Sequence, residues 1–394
     1  MHLQQHLHTA AGLISAYDGL LPFAAFLKNY FKNHKKHGST DRRHIAALCY
    51  GYFRLGKAVS DQAGAKKSLE EKILAGQLLT AEATNVFVEE LKPTWKDLLM
   101  AGLKERMRAV DLEDNFFPYP DEVSEQVDKE ALNLSCLIQP DLFLRLRPHK
   151  RAKVLQELRS AGISFSEGGN GVLRLPNSSR LEGVIDADRD AVVQDLSSQQ
   201  VLRDFLQAWE NHGAPLKAWD CCAASGGKSI LLMDHFPHAV LTATDIRETI
   251  LANLEKRFRK AGIENYFSFV ADVGRPGYKL PKVRGSRQLF DLVICDAPCS
   301  GSGTWSRTPE QFSFFERNKI EEYAALQKSI ATNTVQALKK DGYLLYITCS
   351  VYKKENEEVV TYLQEKTGLK LLTSRYIKGY SQKADTMYTA LLQS

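Results

Sequence analysis

From Leu216 onward the sequence alternates between short apolar runs of strand-forming residues and longer segments with helical periodicity. The runs that are typical of buried β-strands are Leu216–Cys221, Val240–Asp245, Phe267–Val270, Leu289–Cys295 and Tyr343–Thr348. Helical patterns begin at Lys228 and cover Thr249–Ala261 and Ile320–Lys340, and Gly342 is expected to end the last helix. Strands that alternate with helices form parallel βαβ units, so this region predicts a Rossmann-like, doubly wound α/β sheet.

Two of these strands end at a cysteine among small residues. Asp296-Ala-Pro-Cys-Ser-Gly301 follows the fourth run, and Thr348-Cys-Ser350 closes the fifth. The carboxyl ends of parallel strands meet at the edge where open α/β sheets bind ligands. We therefore expect Cys299 and Cys349 to face one crevice with Asp296 beside them. A low-pKa thiol near a carboxylate is suited to covalent catalysis.

A loop of small residues follows the first strand and opens a helix. Its members are Cys222, Ala223, Ala224, Ser225, Gly226 and Gly227. Small residues let a ligand approach the backbone, and free amides at a helix N-terminus suit a carboxylate or phosphate. The glycine spacing matches neither the dinucleotide fingerprint nor the phosphate loop.

Two acids strengthen this interpretation of the loop. Asp245 closes the second strand, where an acid can accept from ribose hydroxyls, and Asp272 is expected to end the third, where it could accept from an adenine amino group. Each acid alone is more often a cap or turn residue. Together with the loop they predict a nucleoside pocket, for which S-adenosylmethionine fits better than ATP.

The cysteine content limits the compartment and the metal chemistry. Seven cysteines are an odd number without the framework spacing of secreted domains, which favours a reducing, cytoplasmic location. Cys221 and Cys295 are interpreted as core residues, because isolated strand cysteines are usually buried. Cys295 and Cys299 lack a second pair with zinc-ligand spacing, so no metal is expected. No apolar run of about 18 residues suggests a membrane span.

The first 130 residues are expected to form helices, among them Arg42–Leu55, with an apolar stripe that includes Ile45 and Leu48, and the segments Ala81–Leu91 and Thr94–Arg108. Their charge points to a polyanionic partner. Residues 1–60 hold eight Lys/Arg against two acids, a local balance of +6, whereas the whole chain carries +5. Such a cluster is often only a solvated helical face. A basic region on an otherwise neutral protein is also how nucleic acid is held, so nucleic acid is the expected partner.

A change of pattern near residue 120 divides the chain. Phe116-Phe-Pro-Tyr-Pro120 breaks the helical periodicity, and short strand and helix patterns follow it until the segment Gln194–Ser198. We therefore predict a helical domain at 1–130, a small α/β module at 131–198 and a Rossmann-like domain at 199–394. A monomer is expected.

These motifs carry a family resemblance. Cys222-Ala-Ala-Ser-Gly-Gly-Lys228, Asp296-Ala-Pro-Cys-Ser-Gly301 and Thr348-Cys-Ser350 resemble the cofactor loop and the two cysteine motifs of Sun/Fmu-type RNA cytosine-5 methyltransferases. Asp41–Arg54 resembles a helix of the NusB-like RNA-binding domain found in the small-subunit rRNA members. The family usually has proline where this chain has Ser225.

The resemblance implies roles for four residues. Cys349 would be the nucleophile that attacks C6 of cytosine, and Cys299 would assist resolution of the adduct. Asp296 would contact the base or the methyl donor, and Lys228 would lie near both. The implied reaction is S-adenosylmethionine-dependent formation of 5-methylcytidine in RNA, with small-subunit (16S) rRNA as the expected substrate.

The chemistry explains why these residue types are needed. C5 of cytosine is a poor nucleophile, but thiolate addition at C6 makes it enamine-like, and an acid such as Asp296 could assist by polarising N3. Three alternatives remain open at this point: a tRNA substrate, a DNA substrate, and a non-catalytic RNA-binding factor for ribosome assembly that keeps the fold.

Overall fold

The structure is a computed structural model that describes residues 2–59, 67–210, 213–280 and 288–394. Its helices are α1 (His2–Ala16), α2 (Phe23–Asn33), α3 (Ser39–Phe53), α4 (Leu69–Thr80), α5 (Val86–Leu91), α6 (Leu103–Ala109), α7 (Lys129–Ser135), α8 (Arg151–Ser160), α9 (Arg203–Ala208), α10 (Gly227–His235), α11 (Glu248–Ala261), α12 (Gln311–Phe314), α13 (Asn318–Val335) and α14 (Glu357–Thr367). Its strands are β1 (Leu142–Leu146), β2 (Ser166–Glu167), β3 (Val172–Leu175), β4 (Ala191–Val193), β5 (Lys217–Asp220), β6 (Val240–Asp245), β7 (Tyr266–Val270), β8 (Phe290–Asp296), β9 (Leu338–Thr348), β10 (Lys370–Ile377) and β11 (Met387–Gln393). Within the described ranges no helix has the length and apolar character that a membrane crossing requires.

The chain divides into two compact units, each assembled from separate segments. The helical unit comprises Met1–Asp121, Asp128–Gln139 and Thr304–Glu316. The α/β unit comprises Glu122–Val127, Pro140–Gly303 and Arg317–Ser394. The predicted domain boundaries at residues 130 and 198 stay predictions.

The helical unit is organised around the crossing of α3 and α4. A Cβ at Gly76 would lie 2.4 Å from the Gly51 carbonyl oxygen, so the close approach of these helices requires a residue without a side chain. Ile45, Leu48 and Ile73 are fully buried in the adjoining core. The helical stripe that the sequence predicts along α3 is thus a packing face.

Residues 304–316 complete this unit although they come late in the chain. Phe314 packs edge-on against Tyr17 with ring centroids 5.0 Å apart, and the Glu310 carboxylate accepts a hydrogen bond from the Phe23 N–H at 3.1 Å. Buried Arg54 donates to the Ser306 carbonyl at 2.8 Å. These contacts satisfy polar groups that would otherwise be costly to bury.

Several helix predictions for this region need correction. The segment Ala81–Leu91 becomes helical only at Val86, because the Asn85 side chain caps the helix by accepting from the next turn. The predicted helix Thr94–Arg108 is broken into two short 3₁₀ turns and α6, which begins after Gly102.

The α/β unit contains the predicted doubly wound sheet, which is confirmed. Its seven strands have the order β10-β11-β9-β8-β5-β6-β7. The pairs β5–β6, β5–β8, β6–β7 and β8–β9 are parallel, and β11 pairs antiparallel with β9 and β10. The chain leaves β5 toward β6 and returns on the other side at β8. The carboxyl ends of β5 and β8 therefore form the topological switch point, where such sheets bind ligands.

A smaller antiparallel sheet with the order β2-β3-β1-β4 belongs to the same unit, and α8 packs on it through Val154, Leu155 and Leu158. Buried Arg145 of β1 and Arg147 both pair with the carboxylate of Asp234 in α10. The small sheet is therefore fixed to the larger one by buried ion pairs.

Gly342 was expected to stop a helix, and that prediction is wrong. The helix α13 ends at Val335, and Gly342 lies inside β9, where the register against β8 shifts between Phe290 and Leu292. A Cβ at Gly342 would meet the Phe290 carbonyl oxygen at 3.1 Å. Strand pairing therefore overrides the helical propensity of the lysines before it.

Candidate active site

The carboxyl ends of β5, β6, β8 and β9 carry the predicted loop, acids and cysteines. The thiols of Cys299 and Cys349 lie 3.3 Å apart, sulfur to sulfur, and both residues are partly exposed. The mutual hydrogen bond and burial raise the pKa of Cys299 well above its usual range. The structure thus brings the two predicted cysteines together at a surface that a ligand can reach.

Asp296 and Lys228 form an ion pair at the same edge. The Lys228 Nζ donates to an Asp296 oxygen at 2.6 Å, and the side chains are 14% and 26% exposed. Burial alone would lower the pKa of Lys228, but the Asp296 carboxylate raises it overall, so the lysine stays cationic.

The loop after β5 is shaped mainly by backbone hydrogen bonds. The Ala223 N–H donates to the Thr244 carbonyl at 2.8 Å, and Gly226 N–H donates to the Ala223 carbonyl at 2.8 Å. Ala224 and Gly226 both have positive φ angles, 45° and 82°. A Cβ at Gly226 would lie 2.7 Å from the Phe258 ring, so only glycine fits where α10 begins.

Asp245 closes β6 and lies against this loop, as the sequence predicts. One carboxylate oxygen accepts from the Ala224 N–H at 3.0 Å, and Arg247 binds the carboxylate through its N–H and guanidinium. Burial works against ionisation, but Arg247 lowers the pKa of Asp245 overall. Since the Arg247 side chain is 58% exposed, it can leave Asp245 free for a ligand.

Asp272 lies close to Asp245 in the fold but does not end its strand. The strand β7 stops at Val270, and Asp272 is an exposed residue two positions later. The intervening Ala271 donates its N–H to the Asp245 carbonyl at 3.0 Å, which brings the two acidic segments together. Cys221 and Cys295 are buried, as expected for core residues.

The sequence did not single out several polar residues that support this edge. Arg257 donates to the carbonyl and hydroxyl of Ser225, at 2.8 and 3.0 Å, and pairs with Asp188 at 2.7 Å. Asp220 is fully buried, accepts from the Ser229 hydroxyl at 2.6 Å, and has a pKa that burial raises to about 7. Its other oxygen has no hydrogen-bond partner among the residues that the structure describes.

Behind the thiols lies a buried network that the sequence also failed to reveal. The hydroxyls of Ser300, Ser302 and Ser350 lie within 3.2 Å of one another, and Glu355 and Asn356 bind the residues that flank both cysteines. The run Lys353–Glu357 has the composition of a solvated helix start, so only its position soon after Thr348-Cys-Ser350 hinted at a role. Among the described residues no cluster suited to a metal ion is found.

The chain is similar to proteins of known family and to proteins of known structure. Residues 210–392 match the model of the family described as 16S rRNA methyltransferase RsmB/F. The chain is 30% identical over 229 residues to ribosomal RNA small subunit methyltransferase B of Klebsiella pneumoniae. That alignment covers 57% of this chain and 50% of the relative, so the chain spans about half the length of the Klebsiella protein.

Two solved structures share the fold at low sequence identity. The crystal structure of PH0851 covers 99% of this chain and is itself covered to 98%, with a TM-score of 0.69 and 18% identity. NSun6 from Pyrococcus horikoshii, solved with SFG, covers 79% of this chain and is covered to 98%, with a TM-score of 0.56 and 15% identity. These likenesses concern the fold alone.

Proposed function

We propose, from the match of residues 210–392 to the model of the 16S rRNA methyltransferase RsmB/F family, that this chain transfers a methyl group from S-adenosylmethionine to C5 of a cytidine in small-subunit rRNA. The observation that carries the proposal is the pair of thiols, 3.3 Å apart, at the sheet edge that also presents the Cys222–Gly227 loop. One topological switch point of the sheet can bind both the methyl donor and a covalently attached base.

The loop has the features that S-adenosylmethionine requires. Ala224 and Gly226 have positive φ angles that turn the backbone into α10, and the start of that helix would offer its amides to the carboxylate of the ligand. Asp245 would accept from the ribose hydroxyls after Arg247 moves, and Asp272 would face the adenine. S-adenosylmethionine would supply an electrophilic methyl group on its sulfonium.

Cys349 is the proposed nucleophile. Its thiolate adds to C6 of cytosine, which turns C5 into an enamine-like carbon that can take the methyl group. H5 then leaves C5 as a proton to a base in the crevice, and the S–C6 bond breaks to regenerate the thiolate. Each step requires the base to be held over the sulfur while water is excluded.

Cys299 and the Lys228–Asp296 pair have the proposed supporting roles. Because Cys299 stays a neutral thiol, it can hydrogen-bond to the Cys349 sulfur and assist its departure from C6. Asp296 would accept from the cytosine amino group, and Lys228, 2.6 Å from Asp296, would supply positive charge near N3 as negative charge develops on the ring.

The remaining parts are proposed to bind RNA. Exposed basic residues lie on and after α2 and at the start of α3, including Lys28, Lys35, Lys36 and Arg43. The helical part at 1–130 and the small α/β module at 131–198 would grip structure around the target, because a base must be unstacked to reach such a crevice.

The test is methyl transfer from labelled S-adenosylmethionine to unmodified rRNA and tRNA, followed by nucleoside mass spectrometry. We expect 5-methylcytidine in small-subunit rRNA and none with Cys349→Ala. Product in tRNA alone would replace the substrate class. Absence of product from naked rRNA and from small-subunit particles would refute the enzymatic proposal in favour of an assembly factor.

A further inference from the structure

The carboxylate of Glu355 lies between the loop that contains Cys299 and the loop that contains Cys349, and it is not in contact with solvent. It is 0% exposed, and it follows β9 in the short turn before α14. Burial raises the pKa of Glu355, so its position is costly unless its oxygens are well bonded. The bonds it makes connect the residue after Cys299 with the residue after Cys349.

We propose, on the basis of the function proposed above, that Glu355 is the positioning residue that holds the Cys299 and Cys349 thiols in contact, so that Cys299 can assist the departure of Cys349 from the adduct. It does not touch the reacting atoms. It acts through Ser300 and Ser350, the residues that follow the two cysteines.

Each oxygen of Glu355 binds a different loop. One accepts the Ser300 N–H at 2.8 Å, and the other accepts the Ser350 hydroxyl at 2.7 Å. Gln327 of α13 donates to the first oxygen at 3.0 Å and to the Pro298 carbonyl at 2.9 Å. The loop of Cys299 is therefore held on both sides of the cysteine, at Pro298 and Ser300.

Asn356 holds the loop of Cys349 on both sides of that cysteine. Its amide nitrogen donates to the Ser350 carbonyl at 2.9 Å, and its oxygen accepts from the Thr348 hydroxyl at 2.5 Å. The Tyr346 hydroxyl donates to the Glu355 carbonyl at 2.7 Å, which fixes the backbone between the two side chains. Glu355 and Asn356 together form a clamp: Glu355 binds both cysteine loops, and Asn356 binds the loop of Cys349.

Glutamate suits this position and glutamine does not. The Ser300 N–H, the Ser350 hydroxyl and the Gln327 amide all donate to its carboxylate, which accepts at both oxygens. A glutamine side chain accepts at one oxygen only. Its amide would either face the Ser300 N–H, donor against donor, or face the Ser350 hydroxyl, which would then have to reverse its bond and accept. Removing one partner from a buried network leaves the other unsatisfied.

The charge of Glu355 has a second consequence. The titratable groups that interact with Cys299 include Cys349, Glu355, and the hydroxyls of Tyr323 and Tyr346. The bond to Cys349 and burial contribute most to the raised pKa of Cys299, and the Glu355 carboxylate adds to them. The clamp thereby keeps Cys299 protonated next to the Cys349 sulfur.

The experiment compares Glu355→Gln with a matched control, Glu310→Gln. Glu310 is also buried, at 2% exposure, and also accepts a backbone N–H, but it lies in the helical unit. Alkylation by iodoacetamide is followed for each cysteine by peptide mass spectrometry between pH 6 and pH 10. We expect the Cys299 profile to move to lower pH in Glu355→Gln, with several-fold faster labelling at pH 8, and not to move in Glu310→Gln.

A second readout follows the protein–RNA adduct. Glu355→Gln should accumulate a denaturation-resistant band like that expected of Cys299→Ala, and lose about 100-fold in kcat while KM for both substrates stays within about twofold. If Glu355→Gln does not fold, Gln327→Met removes one arm of the clamp at similar volume and should show the same changes to a smaller extent.

The two proposals fail in different ways. A wild-type protein that makes no 5-methylcytidine overturns the proposed function, and the alkylation profiles, which need no RNA, still decide the role of Glu355. An active wild type whose folded Glu355→Gln variant has unchanged labelling of Cys299 and unchanged adduct lifetime overturns the clamp alone.

Discussion

The cofactor loop and the thiol pair lie at one edge of the sheet but are held in different ways. The loop is shaped by backbone bonds such as Ala223 N–H to the Thr244 carbonyl, with Arg257 and Asp245 as side-chain supports. The thiols are held by buried side chains, above all Glu355 and Asn356. Backbone bonds survive most substitutions, whereas a buried side-chain network loses several partners at once. The thiol side should therefore tolerate far less change.

The largest effect on either side of the site is expected when the proposed nucleophile is removed. Cys349→Ala should lower kcat by about 10⁴-fold or more, because a covalent route is lost with its nucleophile. Affinity for S-adenosylmethionine, measured by calorimetry, should stay within about twofold of wild type. The matched variant Cys299→Ala should instead trap the RNA adduct, and the reverse pattern would exchange the roles of the two cysteines.

The Lys228–Asp296 ion pair connects the cofactor-loop side of the site with the thiol side, so a substitution that breaks it tests both. Lys228→Met should lower kcat by about 100-fold, as expected when a charged group that stabilises a transition state is removed. The exposed Lys256→Met on α11 serves as control and should behave as wild type in steady-state kinetics. Equal activity of Lys228→Met and wild type would show that the pair has no catalytic part.

On the loop side, Asp220 should make stability depend on pH. Its pKa rises from an ordinary value of about 4 to about 7 through burial. The folded state then binds a proton that the unfolded chain releases, so the stabilisation is fully present below about pH 4 and is lost as pH rises through 7.

The variant Asp220→Asn tests this expectation. Its stability relative to wild type should increase by on the order of 2–3 kcal/mol between pH 5 and pH 8. Urea unfolding at several pH values measures the difference. A constant difference between the two proteins across this range would contradict a buried, titrating Asp220.

The smallest effect is expected where a single side chain braces the loop. Arg257→Gln should raise the Kd for S-adenosylmethionine about tenfold, since it loses bonds to the Ser225 carbonyl and hydroxyl. Asp188→Asn, which spares both bonds to Ser225, should change the Kd less. Calorimetric titration separates the two variants, and a larger effect from Asp188→Asn would place the brace elsewhere.

The residues that could be predicted from sequence are those at strand ends. Cys299, Cys349, Asp296 and Asp245 each follow an apolar run, and the parallel topology brings such ends together whatever lies between them. Glu355 and Arg257 could not be predicted in this way. Each lies among charged residues typical of solvated helix surface, and only tertiary packing shows that it is directed inward.

Local propensity also failed where strand pairing decides the outcome. Lys339 and Lys340 favour a helix, yet they lie in β9 because Leu338 pairs with Phe290. Asp272 was displaced from its expected strand end by two residues, the common error in element boundaries. The roles assigned to the site residues stay predictions until the variants are measured.

The path of the chain through the helical unit limits how this protein can be divided or recombined. Phe312 and Phe314 pack with Phe117, Tyr17 and Phe53. A fragment cut at residue 139 would lack both phenylalanines and would leave Arg54 and the Phe23 N–H without their partners at 304–316. A chimera that exchanges the first 139 residues between relatives must carry residues 304–316 from the same parent. Otherwise the packing of the helical unit is mismatched, and we expect the chimera to be less soluble.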